Sequence, residues 1–205
     1  MNFLFKKIKQ YGLRTFFLLL IVRFPLQLKV FIYRIILSDN SVILKNSKIN
    51  QPTQFIGKGR IEINGACIGV WPSPNLFNGA SYFEARSETA ALKIGKGTYI
   101  NNNATIIADK EFIIIGNNCL IGPNFFATDS DFHGLSTIDR NSGSYECKSV
   151  VIEENVFIGE GVRILKGVTV GSGSVIGSGS LVVKDVAPNT VVAGVPAKKI
   201  ADINI

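Results

Sequence analysis

The chain has 205 residues, with 22 Lys and Arg against 15 Asp and Glu and a single histidine. That length bounds it to one domain with at most an appendage. A hydrophobic content of 46% and a mean hydropathy of +0.27 exclude intrinsic disorder as the main state. One His and three widely spaced Cys exclude a three-histidine metal site within one chain and any zinc-finger pattern, so no metal is expected. Cys67, Cys119 and Cys147 are an odd number, which implies no disulfide framework and favours a reducing compartment. Any step that needs an imidazole falls to His133.

The first 37 residues hold Lys6, Lys7, Lys9, Arg14, Arg23, Lys29 and Arg34 and no acid, while the rest of the chain carries equal numbers of basic and acidic side chains. The whole net charge of +7 therefore sits in this arm, and the neutral body argues against a nucleic-acid partner. Its uniformly apolar run, Phe16 to Val22, is far shorter than the roughly 20 residues a spanning helix needs. A signal peptide fits the basic start, but Arg23, Phe24 and Pro25 stand where a small-residue cleavage site belongs. Lys7, Gln10 and Arg14 share one helical face, and Pro25 suits the first turn of a second helix. Residues 1–40 thus read as two short basic helices with large apolar faces. They form either an in-plane anchor on an anionic membrane or a cap that buries its apolar face on the body or on another subunit.

From Ile152 the sequence falls into sixes: IEENVF, IGEGVR, ILKGVT, VGSGSV, IGSGSL, VVKDVA. Ile152, Ile158, Ile164, Val170, Ile176 and Val182 head the hexads, and Val156, Val162, Val168, Ser174, Ser180 and Val186 take the fifth position. Ile94 to Ile106 follow the same rule. After a short insertion near Asp109–Glu111, Ile115-Gly116-Asn117-Asn118-Cys119-Leu120 and Ile121-Gly122-Pro123-Asn124 resume it. A period of six is neither helical nor a hairpin register. It predicts an all-β fold, a parallel β-helix of stacked triangular coils with head and fifth residues inward and Gly or Asn at corners that need φ > 0. Cys119, at a fifth position, is then a small core residue, and Cys67 reads the same way. Residues 42–93 are loosely periodic and suggest early, irregular coils, with Trp71–Asn75 a turn-rich insertion. Between Phe132 and Val151 the period stops, which predicts a loop, 133–149, thrown out between coils. The β-helix is assigned to residues 41–205.

The hexads, the Asp129-Ser-Asp-Phe-His133 segment and the closing run from Gly179 to Lys198 carry a resemblance to the hexapeptide-repeat O-acetyltransferases. That group includes galactoside, maltose and nodulation-factor acetyltransferases and enzymes of surface-polysaccharide decoration. The resemblance covers about residues 94–200 and leaves residues 1–41 without a counterpart. It implies a left-handed coil, a homotrimer, and acetyl-CoA and acceptor meeting in a cleft between neighbouring β-helices across which the loop reaches. It puts the catalytic histidine at His133, with Asp129, Asp131 and Glu146 as candidate orienters of its ring. Asn103 matches a position that contacts the acceptor. Phe157, Gly159, Gly161, Ser178, Gly179, Lys184 and Lys198 match the positions that hold CoA. Val183 departs from the threonine common before Lys184.

The chemistry points the same way. A sugar hydroxyl is a poor nucleophile without a base, and imidazole, with an ordinary pKa of about 6.5, suits that task near neutral pH. Direct transfer then needs no acyl-enzyme, with a backbone N–H holding the tetrahedral oxyanion. The expected activity is O-acetylation of a bacterial surface glycan or its lipid-linked precursor, at the inner face of the cytoplasmic membrane. The alternatives are N-acetylation of an amino sugar in nucleotide-linked form and a non-catalytic β-helix scaffold.

Overall fold

Aliphatic residues recurring every six positions build a three-sided prism, because each side is one short strand and each corner one turn. The computed structural model describes residues 12–204. Eighteen residues separate Phe157 from Val175, Arg163 from Leu181 and Ile152 from Val170, so each coil lays its strands directly on those of the last, in parallel. The first sheet contains Ile43–Lys45, Arg60–Asn64, Ala91–Ile94, Phe112–Ile115, Val150–Ile152 and Thr169–Val170. The second contains Lys48–Ile49, Cys67–Ile68, Tyr99–Ile100, Leu120–Ile121, Phe157–Ile158, Val175–Ile176 and Thr190–Gly194. The third contains Thr53–Ile56, Ser81–Ala85, Thr105–Ala108, Phe126–Thr128, Arg163–Ile164 and Leu181–Val182. Ala197–Asp202 turns back antiparallel on Thr190–Gly194 and closes the second sheet.

The core runs down the prism axis. Every head residue from Ile152 to Val182 is buried, and so is every fifth residue from Val156 to Val186. Cys119 is buried among them, whereas Cys67 points out of its strand and is only half-buried, so the expectation of a core Cys67 fails. The reason is its phase: Cys67 precedes the head residue Ile68 and alternates to the outer face. At the first-to-second-sheet corner, Asn46, Gly65, Gly97, Asn118, Asn155, Gly173 and Asn189 all adopt positive φ, the conformation that Gly and Asn tolerate best. Other glycines are required by stacking. A Cβ on Gly159 would lie 2.6 Å from the Ser178 amide of the next coil, and one on Gly116 would lie 2.7 Å from the Glu153 carbonyl carbon.

Two departures interrupt the coils. Residues 70–79 bulge from the second-to-third-sheet corner, edged by Trp71 against Phe77 at 5.2 Å. The buried amide of Asn102 ties this bulge to the coil, accepting from the Val70 N–H at 3.0 Å and donating to the Pro74 carbonyl at 2.7 Å. The second departure is the predicted loop, which leaves after the third sheet and returns to the first.

The arm departs from expectation. Helix α1, Leu13–Phe31, runs through Pro25 without a break and ends in a π-helical turn, Ile32–Ile36. Leu26 and Val30, both C-terminal to the proline, pack with Leu76 of the bulge and against Ile49. This seat holds the segment after Pro25 against the body, in line with the preceding turns. Lys6, Lys7, Lys9 and Gln10 lie outside the described residues. No helix among the described residues is long and apolar enough to cross a membrane.

Candidate active site

The loop grows from a short antiparallel stalk. Asp131 N–H donates to the Glu146 carbonyl at 3.2 Å, and Lys148 N–H donates to the Asp129 carbonyl at 2.8 Å. Ser130 and Cys147 pair as a bridge. Lys166, on the next coil at the same corner, binds both sides of the stalk, reaching Asp131 at 3.1 Å and also Glu146. Lys148 meets Glu146 at 2.7 Å. The hydrogen bonds of Lys148 and Lys166 pull the Glu146 carboxyl down to about 2.

His133 stands exposed just beyond this stalk, with its Nδ1 3.0 Å from the Arg140 carbonyl. A carbonyl only accepts, so in the neutral ring Nδ1 carries the proton and Nε2 the lone pair. Arg140 is held in turn: its guanidinium donates to the Leu135 carbonyl at 3.3 Å, and Ser136 Oγ donates to Asp139 at 2.7 Å. The three carboxylates expected to orient the ring have other partners. Asp129 is buried and accepts the backbone N–H groups of Asp109, Lys110 and Glu111 at 2.8, 3.2 and 2.8 Å, while burial pushes its carboxyl above the ordinary value. Asp131 and Glu146 are taken by Lys166 and Lys148. A backbone carbonyl stands where an acid is expected, and no sequence signal announces a carbonyl. Nor does the sequence mark Lys166 beyond its place in the hexads, one coil above the loop.

Five of the remaining expected residues lie at another corner. Asn103, Gly159, Gly161, Ser178 and Gly179 stack where the second sheet turns into the third, whereas the His133 loop and Lys184 lie where the third turns into the first. Asn103 is exposed, at φ 65°, and donates through Nδ2 to Asn124 Oδ1 at 2.8 Å. Asn124 passes the chain on to Glu160 at 3.2 Å. Gly161 and Gly179 follow at φ 68° and 71°, and a Cβ on Gly179 would meet no atom within 4 Å. Phe157 is half-exposed and lines a groove of about 280 Å³ with Val70, Tyr99, Asn101, Leu120 and Gly122. Lys198 lies exposed on the final hairpin. Within one chain the third sheet separates His133 from Asn103 and the glycine corner. Among the described residues no three His, Cys, Asp or Glu side chains converge on a metal-sized site.

Known proteins share this architecture. Residues 149–184 match the bacterial transferase hexapeptide family (six repeats). The chain is 44% identical over 113 residues to a galactoside O-acetyltransferase of Lactococcus lactis, covering 55% of this chain and 54% of that one. Among solved structures it is similar to a hexapeptide-repeat acetyltransferase of Vibrio cholerae complexed with acetyl coenzyme A. That match has a TM-score of 0.56 and 26% identity over 90% of this chain and 88% of the other. A polysialic acid-specific acetyltransferase matches with a TM-score of 0.54 and 29% identity, over 80% of each chain. The chain spans about half the length of the curated relatives it matches. Repeat, fold and relatives together make the coil domain similar to the hexapeptide-repeat transferases.

Proposed function

We propose that the chain is an acetyl-CoA-dependent O-acetyltransferase for a sugar hydroxyl of a bacterial surface glycan, of O-antigen or capsule type, or of its lipid-linked precursor. One observation carries the reading: the lone His133 stands at the loop root with Nδ1 committed to a carbonyl and Nε2 left as a base. Nε2 takes the proton of the acceptor hydroxyl as the oxygen attacks the thioester carbonyl, and the imidazolium returns it to the departing thiolate. No acyl-enzyme intervenes. Asn103, with one amide N–H given to Asn124, offers Oδ1 to a second sugar hydroxyl.

The residues fit the donor. Acetyl-CoA supplies the activated thioester when bound. Gly161 and Gly179 leave the corner open to its backbone-hugging arm, Phe157 offers an apolar face, and Lys184 and Lys198 are exposed cations for its phosphates. Because His133 and Asn103 occupy different corners, the reading requires two chains at each site, as in a homotrimer in which the loop of one protomer meets the glycine corner of the next. Leu135 and Ile138, at 83% and 90% exposure on the loop, are suited to that contact.

The exposed face of α1 supports a proposed location. The outer face of α1 and of the π-helical turn that ends it presents Ile21, Phe24, Leu28, Phe31 and Ile35 at spacings of three and four, each at least half-exposed, flanked by Arg23, Lys29 and Arg34. This pattern favours peripheral binding to the anionic inner face of the cytoplasmic membrane. Calorimetry with acetyl-CoA and carbonyl NMR of the product test the enzyme reading. Binding with an ester product supports it, an amide product supports N-acetylation of an amino sugar, and no binding leaves a scaffold.

A further inference from the structure

Phe132 immediately precedes His133 and has φ 60°, a left-handed conformation that a bulky side chain adopts only when its surroundings impose it. The constraints form a closed circuit. Phe132 N–H donates to Ser130 Oγ at 2.9 Å, and Ser130 Oγ donates to Asp109 Oδ2 at 3.0 Å. Asp109 pairs with Arg86 at 3.5 Å. The Arg86 guanidinium lies 5.0 Å over the Phe132 ring and is fixed from its other side by Glu84 at 2.7 Å. Glu84, Asp109 and Ser130 are all buried, and Asp129 clamps the Asp109–Glu111 turn through its three backbone N–H bonds. Four side chains from three successive coils thus converge on one strained residue.

We propose that Arg86 and Phe132 are positioning residues. The Arg86–Asp109–Ser130 circuit holds Phe132 left-handed, and this backbone twist aims His133 so that Nδ1 meets the Arg140 carbonyl and Nε2 faces the acceptor. The role of base rests on the proposed function; the aiming does not. The circuit lies beneath the loop, with Glu84, Asp109 and Ser130 buried.

His133 is the only histidine, so its ring nitrogens give one assignable set of resonances in the full-length protein. Long-range proton–nitrogen NMR at neutral to mildly basic pH is expected to find the wild-type ring protonated at Nδ1. In Arg86→Met and in Phe132→Val, whose β-branched side chain resists φ 60°, the ring is expected to shift toward the Nε2–H form that free histidine favours. Phe132→Tyr, which keeps a ring under the guanidinium, and Phe132→Gly, which adopts a left-handed φ unaided, are expected to retain the wild-type form. Arg86→Met combined with Phe132→Gly is expected to recover the Nδ1–H form, a rescue that a purely structural role does not give. A wild-type ring protonated at Nε2, or an Nδ1–H form unchanged in both Arg86→Met and Phe132→Val, overturns the proposal. With transfer assayed, both variants should lose up to about a hundredfold in kcat at unchanged KM for acetyl-CoA. A His133→Ala protein that still transfers acetyl would instead sink the catalytic reading and leave the NMR result standing.

Discussion

The proposed base, His133, has its tautomer set by its other nitrogen: Nδ1–H donates to the Arg140 carbonyl, which leaves the lone pair of the neutral ring on Nε2. Replacing His133 with Ala should lower kcat by about 10²- to 10⁴-fold, the usual weight of general-base catalysis, with acetyl-CoA affinity unchanged by calorimetry. Glu146 is a pH-sensitive residue of the stalk. Its folded value of about 2 lies below the unfolded 4.5, so the charged form is favoured on folding. Its contribution is complete above about pH 4.5 and is lost as the pH falls toward about 2. Hydrogen exchange across residues 129–148, corrected for intrinsic rates, should quicken over that window in the wild type and quicken less in Glu146→Gln, where Asp129 and Asp131 still titrate. Gly179 separates fold from ligand. Asn occupies equivalent left-handed positions at Asn103 and Asn124, so Gly179→Asn should fold with an unchanged melting temperature. Its new side chain should weaken acetyl-CoA binding; an unchanged Kd would move the cofactor path elsewhere.

At the scale of the element, the coil was legible because its constraint is strict. Each head residue must fill the same axial slot as the one below it, so a six-residue period survives in the letters from Ile152 to Val186. Ile158 is fully buried in that stack. Ile158→Ala should cost about 2–5 kcal/mol in urea denaturation, through lost burial and the cavity left behind. Gly159 shows where the reading was incomplete. It was assigned to CoA, yet the Ser178 amide at 2.6 Å from its missing Cβ already demands glycine for coil stacking. The loop was legible as a gap in the period, but its contents were not. The acceptor that orients His133 is a main-chain oxygen, and the circuit that twists Phe132 gathers Arg86, Asp109 and Ser130 from coils about 20 residues apart. Helix α1 was misread at Pro25 because the rule for a proline break ignores tertiary seating. Leu26 and Val30, packed with Leu76, hold the segment beyond it in line with the first.

At the scale of the molecule, the charge and the chemistry are segregated. The basic arm carries the whole net charge, while the neutral prism carries the proposed base and donor site. The outer stripe of α1 should bind vesicles containing anionic lipid, with affinity falling as salt rises. Changing Phe24, Leu28 and Phe31 to Ser should abolish co-sedimentation without altering acetyl-CoA binding. Sedimentation of the variant as a smaller species would show instead that the stripe joins copies of the chain. The central claim, acetyl transfer to a surface glycan through His133, is tested most directly by mass spectrometry of that glycan from a strain lacking the gene. The expected result is the loss of an acetyl mass, restored by the wild-type gene and not by His133→Ala. An unchanged glycan, or full restoration by His133→Ala, would contradict it.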